Sequence, residues 1–261
     1  MRTDNDCNLW TAKYGHVKQL DYKLAILPWG SIEPHNYHLP YLTDSIIAEE
    51  ISRGCAKVLF EKFNIRSMVF PAVNFGSQNL GQVELPFCIH TSYQTQFCIM
   101  KDIVASLSRQ GIDKLLVING HGGNSFKNMI HDLAIDYPKV LVLASSWFKM
   151  VELSGIFDNP GNHADEVETS MIMYFRPGLV ELEEAGCGVA KDFAIPALAE
   201  SRVWTPRNWS IVSEDTGIGN PSLSTVHKGQ VCANQVIDSY VDFCYALVTK
   251  PLYAQNLLIT K

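Results

Sequence analysis

Short apolar runs rich in Val, Ile and Leu alternate with longer segments of helical period along the chain, and this alternation limits the fold more than any other feature. Strands joined through helical crossovers pair in parallel, whereas antiparallel neighbours need only a tight turn. Four strands are expected: Leu24 to Pro28, Ser67 to Val73, Lys114 to Ile118 and Val140 to Ser145. Helices are predicted over Ser45 to Phe63, Tyr93 to Gln110, Asn124 to Tyr137, Glu166 to Phe175 and Val226 to Val248. Thr43 and Asn124 read as N-caps, and Gly111 and Pro138 mark helix ends. Two irregular stretches, Asn74 to Ser92 and Gly178 to Leu223, are rich in Gly, Pro and polar residues. Loops of that length inside a compact domain are more often functional than idle, so they read as walls and lids of a site.

With 261 residues, 47% hydrophobic and 18% charged, the chain holds enough apolar material for one domain spanning residues 1–261. A formal net charge of -6 without any run of Lys or Arg argues against nucleic acid or an acidic membrane as partner. The expected ligand is a small molecule. The cysteines (Cys7, Cys55, Cys88, Cys98, Cys187, Cys232, Cys244) are odd in number and never spaced Cys-x-x-Cys. They read as reduced thiols of a cytoplasmic protein, not as a disulfide framework or a thiolate zinc site. Met1 to Trp10 is polar, and no apolar run approaches the roughly 20 residues that span a bilayer, so a soluble, unprocessed chain is expected.

The chemistry concentrates in three motifs. Glu33-Pro-His35-Asn-Tyr-His38-Leu-Pro-Tyr-Leu-Thr-Asp44 follows the first strand, where open α/β sheets place their binding crevices. Glu33 and His35 are two apart and point the same way in extended chain, while Asp44 opens a helix whose N-terminus favours its ionised form. Asn119-Gly-His121-Gly-Gly-Asn124 follows the third strand. If those two strands are neighbours, Glu33, His35, Asp44 and His121 converge. Two imidazoles and two carboxylates suit Zn, Mn or Fe better than Ca or Mg, which prefer oxygen shells. In the third motif, His163-Ala-Asp165-Glu166-Val-Glu168-Thr-Ser170, the spacing puts His163 and Glu166 on one helical face. Glu166 is therefore expected as a further metal ligand and catalytic carboxylate, His163 as a proton carrier, and Glu168 as a supporting residue. Two divalent ions, Zn ahead of Mn or Fe, balanced by Glu33, Asp44, Glu166 and a bridging hydroxide, make hydrolysis by a metal-bound hydroxide the expected chemistry. His38 reads as a hydrogen bonder within its loop, and His90, His131 and His227 as surface or core residues.

These three ordered motifs resemble the creatininase (creatinine amidohydrolase) family of metal-dependent hydrolases. Asn220-Pro-Ser-Leu and Lys228-Gly229 in the tail look like the same family. The resemblance implies a three-layer α/β/α sandwich around a mainly parallel sheet, two metals bridged by an aspartate, and a homo-oligomer, often a hexamer. It implies that Glu33, Asp44 and His121 hold one metal, that His35 and Asp44 hold the other, and that His163 shuttles a proton. Ser77 and Trp147 match positions lining the substrate pocket, and Gly122 could donate its amide to an oxyanion. Gly122 and Gly123 stand where creatininase has an aromatic residue and a metal-binding glutamate, so another carboxylate is required, with Glu166 expected to supply it. A neighbour of Asn159, or Asn159 itself, replaces the tryptophan that covers creatinine, which argues against creatinine as substrate. The expected activity is hydrolysis of a C–N bond in a cyclic or constrained amide. A formamidopyrimidine-type deformylase or deaminase, a cofactor-maturation peptidase, and a non-enzymatic metal-binding protein are the alternatives.

Overall fold

The computed structural model describes residues 4–253, so the outermost residues of the expected 1–261 unit lie outside the described part. Four strands, β1 (Leu24–Trp29), β2 (Ser67–Val69), β3 (Lys114–Asn119) and β4 (Leu141–Ser146), form one sheet in the order β2-β1-β3-β4. All pairs are parallel. β1 and β3 lie side by side in the middle, with Trp29 opposite Asn119 at their carboxyl ends. From this pair the chain winds outward both ways, which makes the gap between β1 and β3 the topological switch point where such sheets open a crevice.

Five long helices cover the sheet: α1 (Thr43–Phe63), α2 (Tyr93–Gln110), α3 (Lys127–Asp136), α4 (Glu166–Phe175) and α5 (Val226–Thr249). Alternation of side chains along the strands decides which helix meets which face. Leu24, Ile26, Leu116 and Ile118 bury against α1, α4 and α5. Ala25, Leu27, Trp29, Leu115 and Val117 bury against α2 and α3. Both faces of β1 and β3 are therefore apolar, giving the continuous hydrophobic runs typical of a fully covered parallel sheet. The α/β/α sandwich expected from the sequence is the observed fold. Among the described residues, no helix is long and apolar enough to cross a membrane.

Local departures from the sequence reading have physical causes. β2 stops at Val69, short of the expected Val73, because Pro71 cannot donate to the ladder; Val73 returns only as an isolated bridge to Trp29. That early stop also explains how Pro28 is tolerated in a central strand. The Pro28 carbonyl accepts from Val73 N, so its missing N–H faces the side where β2 has already ended. Thr43 is the first residue of α1, not its cap, and its hydroxyl donates to the Pro40 carbonyl. Asn124 does not cap α3, which begins three residues later at Lys127; its side chain instead ties together the loops around the crevice. By contrast, α2 and α4 span the expected residues, with Ser92 and Asp165 accepting backbone N–H groups at their N-termini.

Leu116, 1% exposed on β3 beneath the helices, tests this layering. Leu116→Ala should cost about 2–5 kcal/mol, read as a lower denaturant midpoint at unchanged slope, whereas Ile135→Ala at an 80% exposed position on α3 should leave the midpoint in place.

Candidate metal centre

The carboxyl ends of β1 and β3 feed two loops into one buried crevice. Glu33 and His35 lie just past β1, where an isolated bridge between His35 and Leu39 folds the loop back. His121 lies two residues past β3, and Asp44 is the second residue of α1. The N-terminus of α1 presses so closely on the end of β3 that a Cβ at Gly120 would run into the Asp44 carbonyl. Glycine there lets Asp44 enter the crevice.

Three imidazoles are oriented by backbone carbonyls. His35 Nδ1 sits 3.0 Å from the Glu33 carbonyl, His121 Nε2 2.7 Å from the Ser77 carbonyl, and His163 Nε2 2.9 Å from the Pro34 carbonyl. A carbonyl only accepts, so each of these nitrogens carries the proton and the other ring nitrogen points inward, as metal-binding histidines are usually arranged. The inward atoms meet carboxylates. His121 Nδ1 is 2.8 Å from Glu33 Oε1 and 3.1 Å from Asp44 Oδ2, while His35 Nε2 is 3.2 Å from Asp44 Oδ1 and 3.9 Å from Glu168 Oε2. His163 Nδ1 lies 3.8 Å from Glu33 Oε1. Three sets of ligand atoms are close enough to share an ion: Glu33, Asp44 and His121; His35, Asp44 and Glu168; and Glu33, His35 and His163.

Electrostatics point the same way. Burial disfavours a charged imidazole, but Asp44, Glu168 and Glu33 outweigh it and raise the His35 pKa to about 10; His121 is likewise pushed well above its usual value, by Glu33 and Asp44. Asp44 is held far below the carboxylate range by both imidazoles despite its burial. Burial pushes Glu168 up to about 8, with His35 pulling against it. The site asks for positive charge at its centre, and protons on the histidines are one way to supply it. Divalent ions are another, and the donor set of nitrogens and carboxylate oxygens fits them. His163, buried and beside His35, has its pKa lowered, so the neutral ring is favoured.

Glu166 does not join this cluster. Its carboxylate accepts from the backbone N–H groups of Asp158 and Asn159 and from Lys228 Nζ. The expected shared face fails because α4 begins only at Glu166, with Ala164 in the left-handed region (φ 49) and Asp165 as cap; His163 precedes the helix, so helical spacing does not relate it to Glu166. Glu168 is the carboxylate that arrives. Three residues beyond the Asp165 cap, it folds back over the helix N-terminus, where Ala164 N donates to its Oε2 at 2.6 Å. The Asp-x-x-Glu spacing was the available signal for this. Ser77 does not line the cavity; its carbonyl orients His121 and its hydroxyl accepts from Gln96. Gly122 and Trp147 do line it, and the Trp147 indole nitrogen is buried without a hydrogen-bond partner among the described residues. His38 donates to or accepts from Thr169 Oγ1 at 2.8 Å, and its burial lowers its pKa to about 4. Gln82, absent from the sequence reading, donates to Glu33 Oε2 at 2.7 Å.

The crevice opens into a cavity of about 740 Å³, floored by Glu33, Asp44, His121 and His163 and walled by both irregular stretches, including Gln82 and Trp204.

A family model described as creatininase, creatinine amidohydrolase, matches residues 11–244. A crystal structure from Bacteroides fragilis NCTC 9343, provisionally named a creatinine amidohydrolase, is 45% identical and covers 97% of this chain and 100% of that one, with a TM-score of 0.93. A mutant creatininase of Zn-Zn type covers 96% of this chain and 100% of its own with a TM-score of 0.72, but at 18% identity the likeness is one of fold. The mycofactocin precursor peptide peptidase of Mycobacterium ulcerans (strain Agy99) is 23% identical over 230 residues, 83% of this chain and 82% of that protein.

Two measurements test the centre. Glu168→Gln should lower the bound metal in purified protein by about one ion per chain while Glu166→Gln leaves the metal content unchanged, read by elemental analysis. Because the surrounding carboxylates push the His35 and His121 pKa values up and a cation would compete with those protons, titrating Zn into metal-free protein should release protons, visible by calorimetry as heats that change with buffer ionisation enthalpy.

Proposed function

The chain belongs to the creatininase family and is a hydrolase of that family, and from this premise we propose that it uses two divalent cations to cleave a C–N bond in a cyclic or otherwise constrained amide. The observation that carries the reading is the position of Asp44, whose two carboxylate oxygens face different imidazoles. Among the described residues its Oδ2 is approached only by the inward-pointing Nδ1 of His121, at 3.1 Å, and completes no regular hydrogen bond, as suits an oxygen that shares a cation with that ring. On one side Glu33 and His121 would complete a ligand set, and on the other His35 and Glu168. Cations held there would polarise the amide carbonyl and supply a water acidic enough to attack at neutral pH.

The chain's own residues account for the remaining work. Gln82 and the carbonyls of Glu33 and Ser77 hold Glu33, His35 and His121 in orientation, which limits rearrangement during turnover. His163 keeps its Nε2 proton on the Pro34 carbonyl and turns the Nδ1 lone pair toward the centre. From there it is placed to accept a proton as the nucleophile attacks and to return it to the leaving nitrogen. Trp209 packs edge-on against the His163 ring at 5.5 Å and limits its rotation. Gly122 is on the cavity wall with open space above it, so substrate can approach its backbone amide.

A peptide bond is the second reading. It is favoured by the peptide-cleaving relative and by a cavity larger than a single small ring requires. Metal-stripped protein, reloaded with Zn, Mn or Fe in turn, should be screened against cyclic ureides, creatinine, formylated purine-like amides and short peptides. Turnover is expected on at least one constrained amide. His121→Ala should lose both metal and activity, whereas His163→Asn should keep its metal and lose about 10²–10⁴ in kcat; full activity in His121→Ala would overturn the reading.

A further inference from the structure

The floor of the cavity carries carboxylates, whereas its more exposed lining carries cations. Lys149 and Arg207 both line it, and neither forms an ion pair or side-chain hydrogen bond with any described residue. The acids on the same lining are already engaged. Glu33, Asp44 and Glu168 face the imidazoles, and Asp165 accepts from the N–H groups of Val167, Glu168 and Gly161. Among the described residues, no carboxylate pairs with the two cations.

The backbone that carries them is well anchored. Lys149 ends the short turn Trp147–Lys149 directly after β4, at the carboxyl end of the sheet. Arg207 is half-buried and precedes a bridge between Leu80 and Asn208, after which Trp209 donates its N–H to the Leu80 carbonyl at 2.7 Å and its indole N–H to the Thr216 carbonyl at 3.0 Å. Val203 and Trp204 add exposed apolar surface to the same wall beside the half-buried Phe193; Trp204 is 81% exposed. Two unpaired cations on anchored backbone, one of them an Arg whose guanidinium can meet a carboxylate in two places, beside apolar surface match a ligand with a carboxylate and a hydrophobic face. The volume is that of a site for a molecule considerably larger than one five-membered ring.

We propose that the substrate is a carboxylate-bearing amide, whose carboxylate is held by Arg207 and Lys149 while its C–N bond lies over the metal centre. This rests on the amidohydrolase reading and adds the class of molecule. Substrate charge would then be selected at the cavity wall, and the ionic strength of the medium would weaken selection without altering the floor.

The test compares 5-(4-carboxyphenyl)hydantoin with its neutral partner 5-(4-carbamoylphenyl)hydantoin, binding each to the zinc-loaded full chain by calorimetry. The acid should bind at least about tenfold more tightly than the amide, and this ratio should shrink as salt is added. In the double variant Arg207→Gln, Lys149→Gln the ratio should fall toward one, with Arg207→Lys retaining part of it; zinc content and melting temperature report whether each variant is folded, and single Arg207→Gln serves if the double variant is not. An acid that fails to bind, an acid no tighter than the amide, or an unchanged ratio in a folded variant overturns the proposal. Hydrolysis of neutral amides without acid preference sinks this inference alone. Acid preference in a protein that turns over no amide sinks the amidohydrolase reading alone.

Discussion

Three carboxylates, the buried Glu33 and Asp44 and the partly buried Glu168, are drawn together, and their mutual repulsion is the constraint around which the crevice is built. Moving unpaired carboxylates into low dielectric costs several kcal/mol each, so the cluster persists only with compensating positive charge. The imidazoles supply it by protonation or by directing lone pairs at a cation. Their orientation is settled by backbone carbonyls of Glu33, Ser77 and Pro34, not by other titratable groups. Carbonyls neither change charge nor donate, so the inward nitrogens keep their role whatever occupies the centre.

The sheet makes this economy of parts possible. Neighbouring parallel strands deliver two loops to the same place, and the close approach of α1 adds a third element without any long connection. Only Glu168 and His163 come from farther along the chain. They are secured by different means: His163 by backbone pairing with Ile218 in the tail, and Glu168 by the capped first turn of α4. The tail's contribution is thus structural support for His163, since the Ile218 carbonyl accepts from both Asn162 N and His163 N.

Much of this was readable from residue pattern. Strand and helix positions followed apolar periodicity, which is robust when both faces of a sheet are covered. Glu33, His35, Asp44 and His121 were readable because strand ends in an open sheet converge, so sequence order alone nearly determines proximity. What failed was local geometry at element boundaries. Asn124 has a good capping residue's chemistry, but a better use for it exists across the crevice, on Gly30, Ser77 and Asn119. Glu166 and Glu168 are both acidic and both in the first turn of α4. Choosing between them required knowing that the helix starts after His163, and a one- or two-residue uncertainty in a helix start reverses the facing of every side chain in that turn.

The choice of Glu168 follows from a packing restriction at the second motif. A Cβ at Gly123 would lie 2.5 Å from His121 Nε2 and run into the Ser77 carbonyl, displacing the bond that orients the histidine. With this placement of His121, position 123 has no room for a side chain, and the carboxylate that faces His35 comes from another element. Glu168 reaches the cavity from the first turn of α4, and the space beside Gly122 stays open. If the centre holds cations as proposed, its metal chemistry and the breadth of the space above it would be coupled through a single backbone position.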